Sequence, residues 1–284
     1  MNNFKTRTNR RQWLALTAAA CAAFSFGAQA QNTWPAKPVT LVVPFPAGGG
    51  TDTFARPFSA QFSKQSGKTL VIDNRGGAGG NLGAGVAAKA APDGYTLLIT
   101  SASTQIVQPV MRKSMPYDAE KDFIPIMSTG GSASVLVVHP SLPVKNFREF
   151  IDYARANPDV VTYGSSGTGT ALHLAGEVFA SVAGVKLQHV PYKTAAQSMT
   201  DLLGGTIPLV YTAVAGAIQH VKSGKLHAVA VSSAQRAPSL PDVPTFIESG
   251  VADFDINSWV GLLAPAKTPR AIVDKLKDRK STRL

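Results

Sequence analysis

The chain has 284 residues, 44% of them hydrophobic and only 16% charged, with a formal net charge of +11 at pH 7. A chain of this length and composition can bury two cores, which excludes extensive disorder. The 28 Lys and Arg are scattered without interleaved aromatics, which argues against a nucleic-acid surface and for a solvated basic exterior.

The first element is not part of the fold. Lys5, Arg7, Arg10 and Arg11 precede an apolar run over residues 13–26 and the small-x-small site Ala28-Gln29-Ala30. This pattern is a secretory leader (1–30), with the mature chain starting at Gln31. The run is too short to span a membrane comfortably. Arg10-Arg11 leaves both the plain secretory and the twin-arginine export routes open. Cys21, behind three alanines, is a poor lipidation site. It is the only cysteine, so the mature chain has neither a disulfide nor a cysteine nucleophile. Without the four leader cations, 24 basic residues face 17 acidic ones, or +7.

Val39–Val43 is a short β-branched run ending at Pro44, a buried strand. Residues 53–66 have helical spacing, with Phe54, Phe58 and Phe62 on one face and Thr51 or Asp52 as the expected cap. A strand at 69–73, a helix at 81–90 closing at Pro92-Asp93-Gly94, and a strand at 95–100 follow. This β-α-β-α-β order predicts a parallel sheet wrapped by helices. Strands at 135–138, 160–163, 187–190, 207–211 and 226–231, with helices at 147–156, 171–183 and 195–203, make a second α/β unit. Residues 238–244, rich in proline, read as a stiff connector back, followed by a strand at 259–264 and a helix from Pro269. The predicted fold is α/β and two-lobed, with parallel-rich sheets and a hinged cleft. Its expected divisions are 31–128, 129–236, and a return over 237–284. Residues 278–284 match what one frame of a common sequencing adapter would encode, which would leave the first lobe truncated; the alternative is an ordinary basic helix end.

Three glycine-rich turns follow three strands, where open parallel sheets take their ligands. They are Pro46–Asp52 with Gly48, Gly49 and Gly50, residues 73–81, and residues 163–170. Glycine lets a ligand approach the backbone, and each helix behind presents unpaired N–H groups and a positive dipole end. Together they favour an anion without a cationic side chain. A turn alone is as readily a tight connection; three, split over two lobes, point to one small-ligand cleft. Catalytic patterns fail. Gly67-Lys68-Thr69 lacks the upstream glycine of a nucleotide loop, with Phe62 in its place. Gly164-Ser165-Ser166-Gly167-Thr168 misses a nucleophile elbow at Thr168. The five histidines lack metal-ligand spacing, so no metal and no cofactor are expected.

The stretches WPAKPVTLVVPFPAGGGTDTFAR, VIDNRGGAGGNLG, APDGYTLL, YGSSGTGTALHLAGEVF, HVPYK, DLLGG, LPDVPTF and SWVGLLAPAKTP carry a resemblance to the Bug-type solute-binding receptors of tripartite tricarboxylate transporters. The resemblance implies a periplasmic, monomeric, non-enzymatic protein of type II-like binding-protein fold. It would close over a small organic carboxylate and deliver it to multi-span membrane subunits, with no nucleic-acid partner. It implies a site built from Phe45, Ala47, Gly48, Gly49, Thr51 and Asp52, from Gly77, Ala78, Gly79 and Asn81, and from Ser101 and Ser103. The second lobe would add Ser165, Ser166, Gly167, Thr168, Thr170, His173, Tyr192 and Tyr211. There are departures. Gly76 stands where the family usually has proline, Thr194 where it has glycine, and Tyr211-Thr212-Ala213 where it often has Phe-Asp-Asn. The missing acid removes a partner for an amino group, which favours a non-amino carboxylate. The competing readings are an exported enzyme acting on a small acid through Asp52, His173 or Lys193, and a sensor serving a membrane signalling protein.

Overall fold

Strand and helix alternate as the periodicity predicts, in a computed structural model that describes residues 34–252 and 254–278. The expected leader and the tail beyond Asp278 lie outside the described residues. The chain divides into Met1–Ala36 and Lys37–Leu284, and the second unit carries every described strand and helix. Its elements are β1 (Val39–Val43), α1 (Gly50–Ser66), β2 (Leu70–Asn74), α2 (Asn81–Ala88), β3 (Thr96–Ser101), a π-helical turn (Ser103–Val107) running into α3 (Gln108–Met111), and β4 (Phe123–Ser132). Then come β5 (Ser134–Val138), α4 (Phe147–Ala156), β6 (Thr162–Ser165), α5 (Ala171–Ala183), β7 (Gln188–Pro191), α6 (Ala195–Leu203), β8 (Leu209–Ala213), α7 (Val214–Lys222), β9 (His227–Val231), β10 (Ser258–Pro265) and α8 (Arg270–Lys277).

The strands form two five-stranded sheets, ordered β2-β1-β3-β10-β4 and β7-β6-β8-β5-β9. Each is mixed rather than parallel-rich. β1 pairs parallel with β2 and β3, whereas β10 runs antiparallel to β3 and β4. β6 pairs parallel with β7 and β8, whereas β5 runs antiparallel to β8 and β9. The antiparallel pairs arise where the chain passes between sheets. β4 ends at Ser132 and β5 begins at Ser134, so Ala133 alone makes the first crossing. On the return, Ile256 still donates its N–H to the Ser232 carbonyl beside the second sheet, and β10 begins at Ser258.

Residues 238–256 do more than connect. Ala237, Leu240 and Val243 pack on one face of the second sheet, with Val135, Val137 and Val210. Phe246, Val251 and Phe254 pack on the other, with Leu136, Val138, Tyr163 and Phe179. The prolines read as a spacer, but the apolar residues between them decide where the segment goes: three buried aromatic and aliphatic side chains contribute several kcal/mol, too much to leave in solvent.

Candidate functional site

The first glycine turn builds one wall. α1 starts at Gly50, earlier than its periodicity suggests, with Gly49 as N-cap and no side-chain cap. Asp52 does not cap it. Its buried carboxylate turns back, accepting from the Gly48 N–H at 2.9 Å, the Asn74 amide at 3.0 Å and Arg56 Nε at 2.7 Å. Burial raises the Asp52 pKa, but these donors outweigh it and hold the group below the ordinary carboxylate value. Asp52 therefore braces the turn instead of facing solute, and the N–H groups of Gly50 and Thr51 stay open. Phe54 shares a helical face with Phe58 and Phe62. Only those two enter the core; Phe54, one turn earlier, reaches the cleft.

The second sheet supplies the facing wall through three more helix starts. Thr170 and Thr194 cap α5 and α6, accepting from the N–H groups of His173 and Gln197. α7 begins after Ala213 with no side-chain cap. Between the walls lies a cleft of about 540 Å³, within the range of small-molecule sites. Gly49, Gly50 and Thr51 of α1, Thr170, Ala171 and Leu172 of α5, Thr194, Ala195 and Ala196 of α6, and Ala213, Ala215 and Gly216 of α7 all line it. First-turn residues of four helices thus line one space, where each helix start carries about half a positive charge, and α6 and α7 also lay a flank along it as far as Leu203 and His220. The cleft adds the hydroxyls of Ser101, Ser103, Ser134, Ser166, Thr212 and Ser258, the ammonium of Lys193, the imidazole of His220, and the apolar Phe45, Phe54, Met199, Leu203 and Val260. Among the described residues lining it there is no Asp or Glu.

Of the residues named from sequence, Phe45, Gly48, Gly49, Thr51, Ser101, Ser103, Ser166 and Thr170 line this cleft. The others do not. Ala47 and Thr168 are exposed on the outer sides of their turns. Gly77, Ala78, Gly79 and Asn81 stand apart because Gln108 occupies their turn: Asn81 donates to Gln108 Oε1 at 3.1 Å, and a Cβ on Gly79 would strike the Gln108 amide. Ser165 is buried behind the third turn, its Oγ 2.7 Å from His189 Nε2 and accepting from the Gly167 N–H at 3.1 Å. Gly167 backs onto the Tyr192 carbonyl. Tyr192 donates to Asp201 Oδ2 at 2.8 Å; burial first, then that bond, pushes its pKa up to about 12. Tyr211 follows Leu209 on the alternating face of β8, so it enters the core and its neighbour Thr212 reaches the cleft instead. The starts of α6 and α7 carry no glycine run; the first is predicted from its helical spacing at 195–203, and the second, with no cap residue, carries no signal.

His173 also lies behind the third turn. Its Nδ1 accepts from the Gly169 N–H at 3.2 Å, and its ring centroid is 4.1 Å from that of His189. Burial lowers the His173 pKa, while Glu177, 3.8 Å away, pulls the other way. Burial and then the neighbouring His173 push His189 down to about 4 from 6.5. Both rings resist protonation in the fold, and between about pH 6.5 and pH 4 the unfolded chain binds a proton that folded His189 does not. Stability is full above that window and falls as pH drops through it, by on the order of 2 kcal/mol after discounting for partial exposure. Thermal melts between pH 7.5 and 5 check this; His189→Gln should flatten the slope. The depressed Asp52 loses its contribution only at lower pH.

Two α/β sheets, linked by two crossings and opening their strand ends onto one cleft, define the periplasmic binding-protein class. The family described as "Tripartite tricarboxylate transporter family receptor" matches residues 54–283. The chain belongs to that family and is a Bug-type receptor. It is 37% identical over 268 residues to the "UPF0065 protein in tcbD-tcbE intergenic region" of Pseudomonas sp. (strain P51), covering 94% of this chain and 80% of the relative. It is 35% identical to "Protein BugT" of Bordetella pertussis, covering 85% and 75%. Among solved structures, "R. palustris Rpa4515 with adipate" superposes with a TM-score of 0.84 at 36% identity, covering 88% and 83%. "MatC (Rpa3494) from Rhodopseudomonas palustris with bound malate" gives 0.81 at 31%, covering 88% and 84%. Among the described residues no helix is long and apolar enough to cross a membrane.

Proposed function

We propose that this chain is an extracytoplasmic receptor that closes two lobes, residues 37–132 with 258–278 and residues 134–256, over a small non-amino dicarboxylate. It then hands the solute to the multi-span membrane subunits of a tripartite tricarboxylate-type transporter. The observation that carries the reading is that first-turn residues of four helices line one cleft without an acidic side chain. One carboxylate would meet the α1 start, Ser101 and Ser103. A second would meet the α6 and α7 starts and Lys193, with Phe54, Met199 and Leu203 covering the carbon chain. Charge-assisted hydrogen bonds contribute about 1.5–3 kcal/mol each, so a few suffice for micromolar affinity. The adipate and malate named with solved relatives support the ligand class, and the periplasmic neighbours support a periplasmic location. Without an acid at position 212, an ammonium group would find no carboxylate partner among the described lining residues and would sit beside positive helix starts.

A thermal-shift panel of mono-, di- and tricarboxylates, each beside its amino analogue, tests this. A dicarboxylate at about a hundred times its Kd should stabilise by ~2.7 kcal/mol, or roughly 5–10 °C. A panel without a shift, or a preference for aspartate over succinate, would overturn the assignment. Gly49→Val checks the first turn. Gly49 has φ −76° and ψ 169°, open to any residue, so the protein should fold. A Cβ there would lie 3.1 Å from the Pro46 carbonyl oxygen, displacing the turn and narrowing the cleft. The thermal shift should vanish in that variant.

A further inference from the structure

The second glycine turn holds a side chain of the protein itself. Gln108 is buried at 1% exposure between the second and third turns. Its Oε1 accepts from Asn81 Nδ2 at 3.1 Å and from Arg112 Nε, and its Nε2 donates to the Gly169 carbonyl at 2.7 Å, in the other lobe. Gly79 and Gly169 have φ of +69° and +74°, and a Cβ on either would collide with the Gln108 amide. Their glycines are therefore explained by this carboxamide. Five residues earlier on the same segment, Ser103 Oγ accepts from the Ala171 N–H at 2.8 Å, also in the other lobe. A donor and an acceptor from one lobe thus meet a carbonyl and an N–H that flank Thr170 in the other. The base of the clamp is fixed in turn. Tyr117 donates to the Thr104 carbonyl at 2.6 Å and contacts Asn81 Oδ1 at 3.0 Å, tying the π-helical turn to α2.

We propose that Gln108 is a positioning residue for closure: with Ser103 it clamps the third turn and holds the two lobes together before any solute arrives. Gln108 does not line the cleft, so it would act on the population of the closed form and not on contact with the solute. Removing it should weaken every solute by one common factor, because apparent affinity scales with the fraction already competent to bind. The proposal rests on the two-lobe reading above, but its test uses solute-free protein and so stands apart from which acid the cleft takes.

The experiment places spin labels at Lys64→Cys on α1 and Asp152→Cys on α4, both exposed and one in each lobe, in the full chain carrying Cys21→Ser. Interlobe distances are read by pulsed dipolar spectroscopy without added solute. The parent protein should show a predominant short distance. Gln108→Met keeps the volume but removes donor and acceptor, and should lower the closed-to-open ratio about tenfold, the effect of one or two lost hydrogen bonds. Gln108→Ala should do the same, and the Met variant keeps the test alive if Ala does not fold. A purely structural Gln108 would lower the melting temperature and leave the distances alone. Identical distance distributions in parent and Gln108→Met, or a parent already open, would overturn the clamp.

Discussion

Ala195→Asp should abolish capture of an organic acid while leaving the fold as stable as before, or slightly more so. Ala195 is the first residue of α6 and lines the cleft. An aspartate at the first turn of a helix is favourable by about 0.3–1 kcal/mol, since it meets the positive end of the dipole. The same charge faces the bound solute. Two unit charges ~5 Å apart at an effective dielectric of ~20 repel by about 3 kcal/mol, so affinity should fall more than a hundredfold. Ala195→Asn has the same size without the charge and should retain most of the binding. Calorimetric titration of both variants with the acid found in the panel separates charge from bulk. Equal affinities for the two would show that the field of the cleft is not what holds the anion.

Phe246→Ala should be the most destabilising single truncation in the second lobe. The Phe246 ring lies 4.5 Å from Phe254, 5.1 Å from Phe179, 5.8 Å from Phe147 and 6.3 Å from Tyr211, centroid to centroid. It is fully buried. Deleting such a side chain removes its transfer free energy and leaves a cavity its crowded neighbours cannot refill, about 3–5 kcal/mol together. Denaturant unfolding should show that loss, with a fall in melting temperature of roughly 6–20 °C. Ile247→Ala, next in sequence but exposed, should cost under about 1 kcal/mol. A small effect at Phe246 would mean that residues 238–256 are a loose return strand after all.

What the sequence displayed and what it hid divide along physical lines. Apolar periodicity found β1, β3, β5, α1, α4, α5 and α6 to within a few residues, because burial of one face set both pattern and structure. It missed β4, where Pro125, Gly130 and Gly131 interrupt the run, since hydrogen bonds to β10 hold that strand regardless. It missed α7 because Val214 follows β8 with no turn residue to mark the change. Glycine marked the first and third turns, residues of which line the cleft. At the second, the partner of Gly79 is a side chain 27 residues beyond Asn81, a distance no local pattern spans. Tyr211 enters the core while Thr212 beside it lines the cleft, since one position along a strand exchanges faces.

The single residue between β4 and β5 has a mechanical consequence. The Ala133 carbonyl also receives the Val214 N–H at 3.0 Å, the bond that launches α7. Torsion in the main chain there would carry the beginning of that helix with it, and Ala215 and Gly216 belong to the cleft wall. On the proposed two-lobe reading, swinging the lobes apart would then loosen the grip in the same stroke, with no relay of side chains between them.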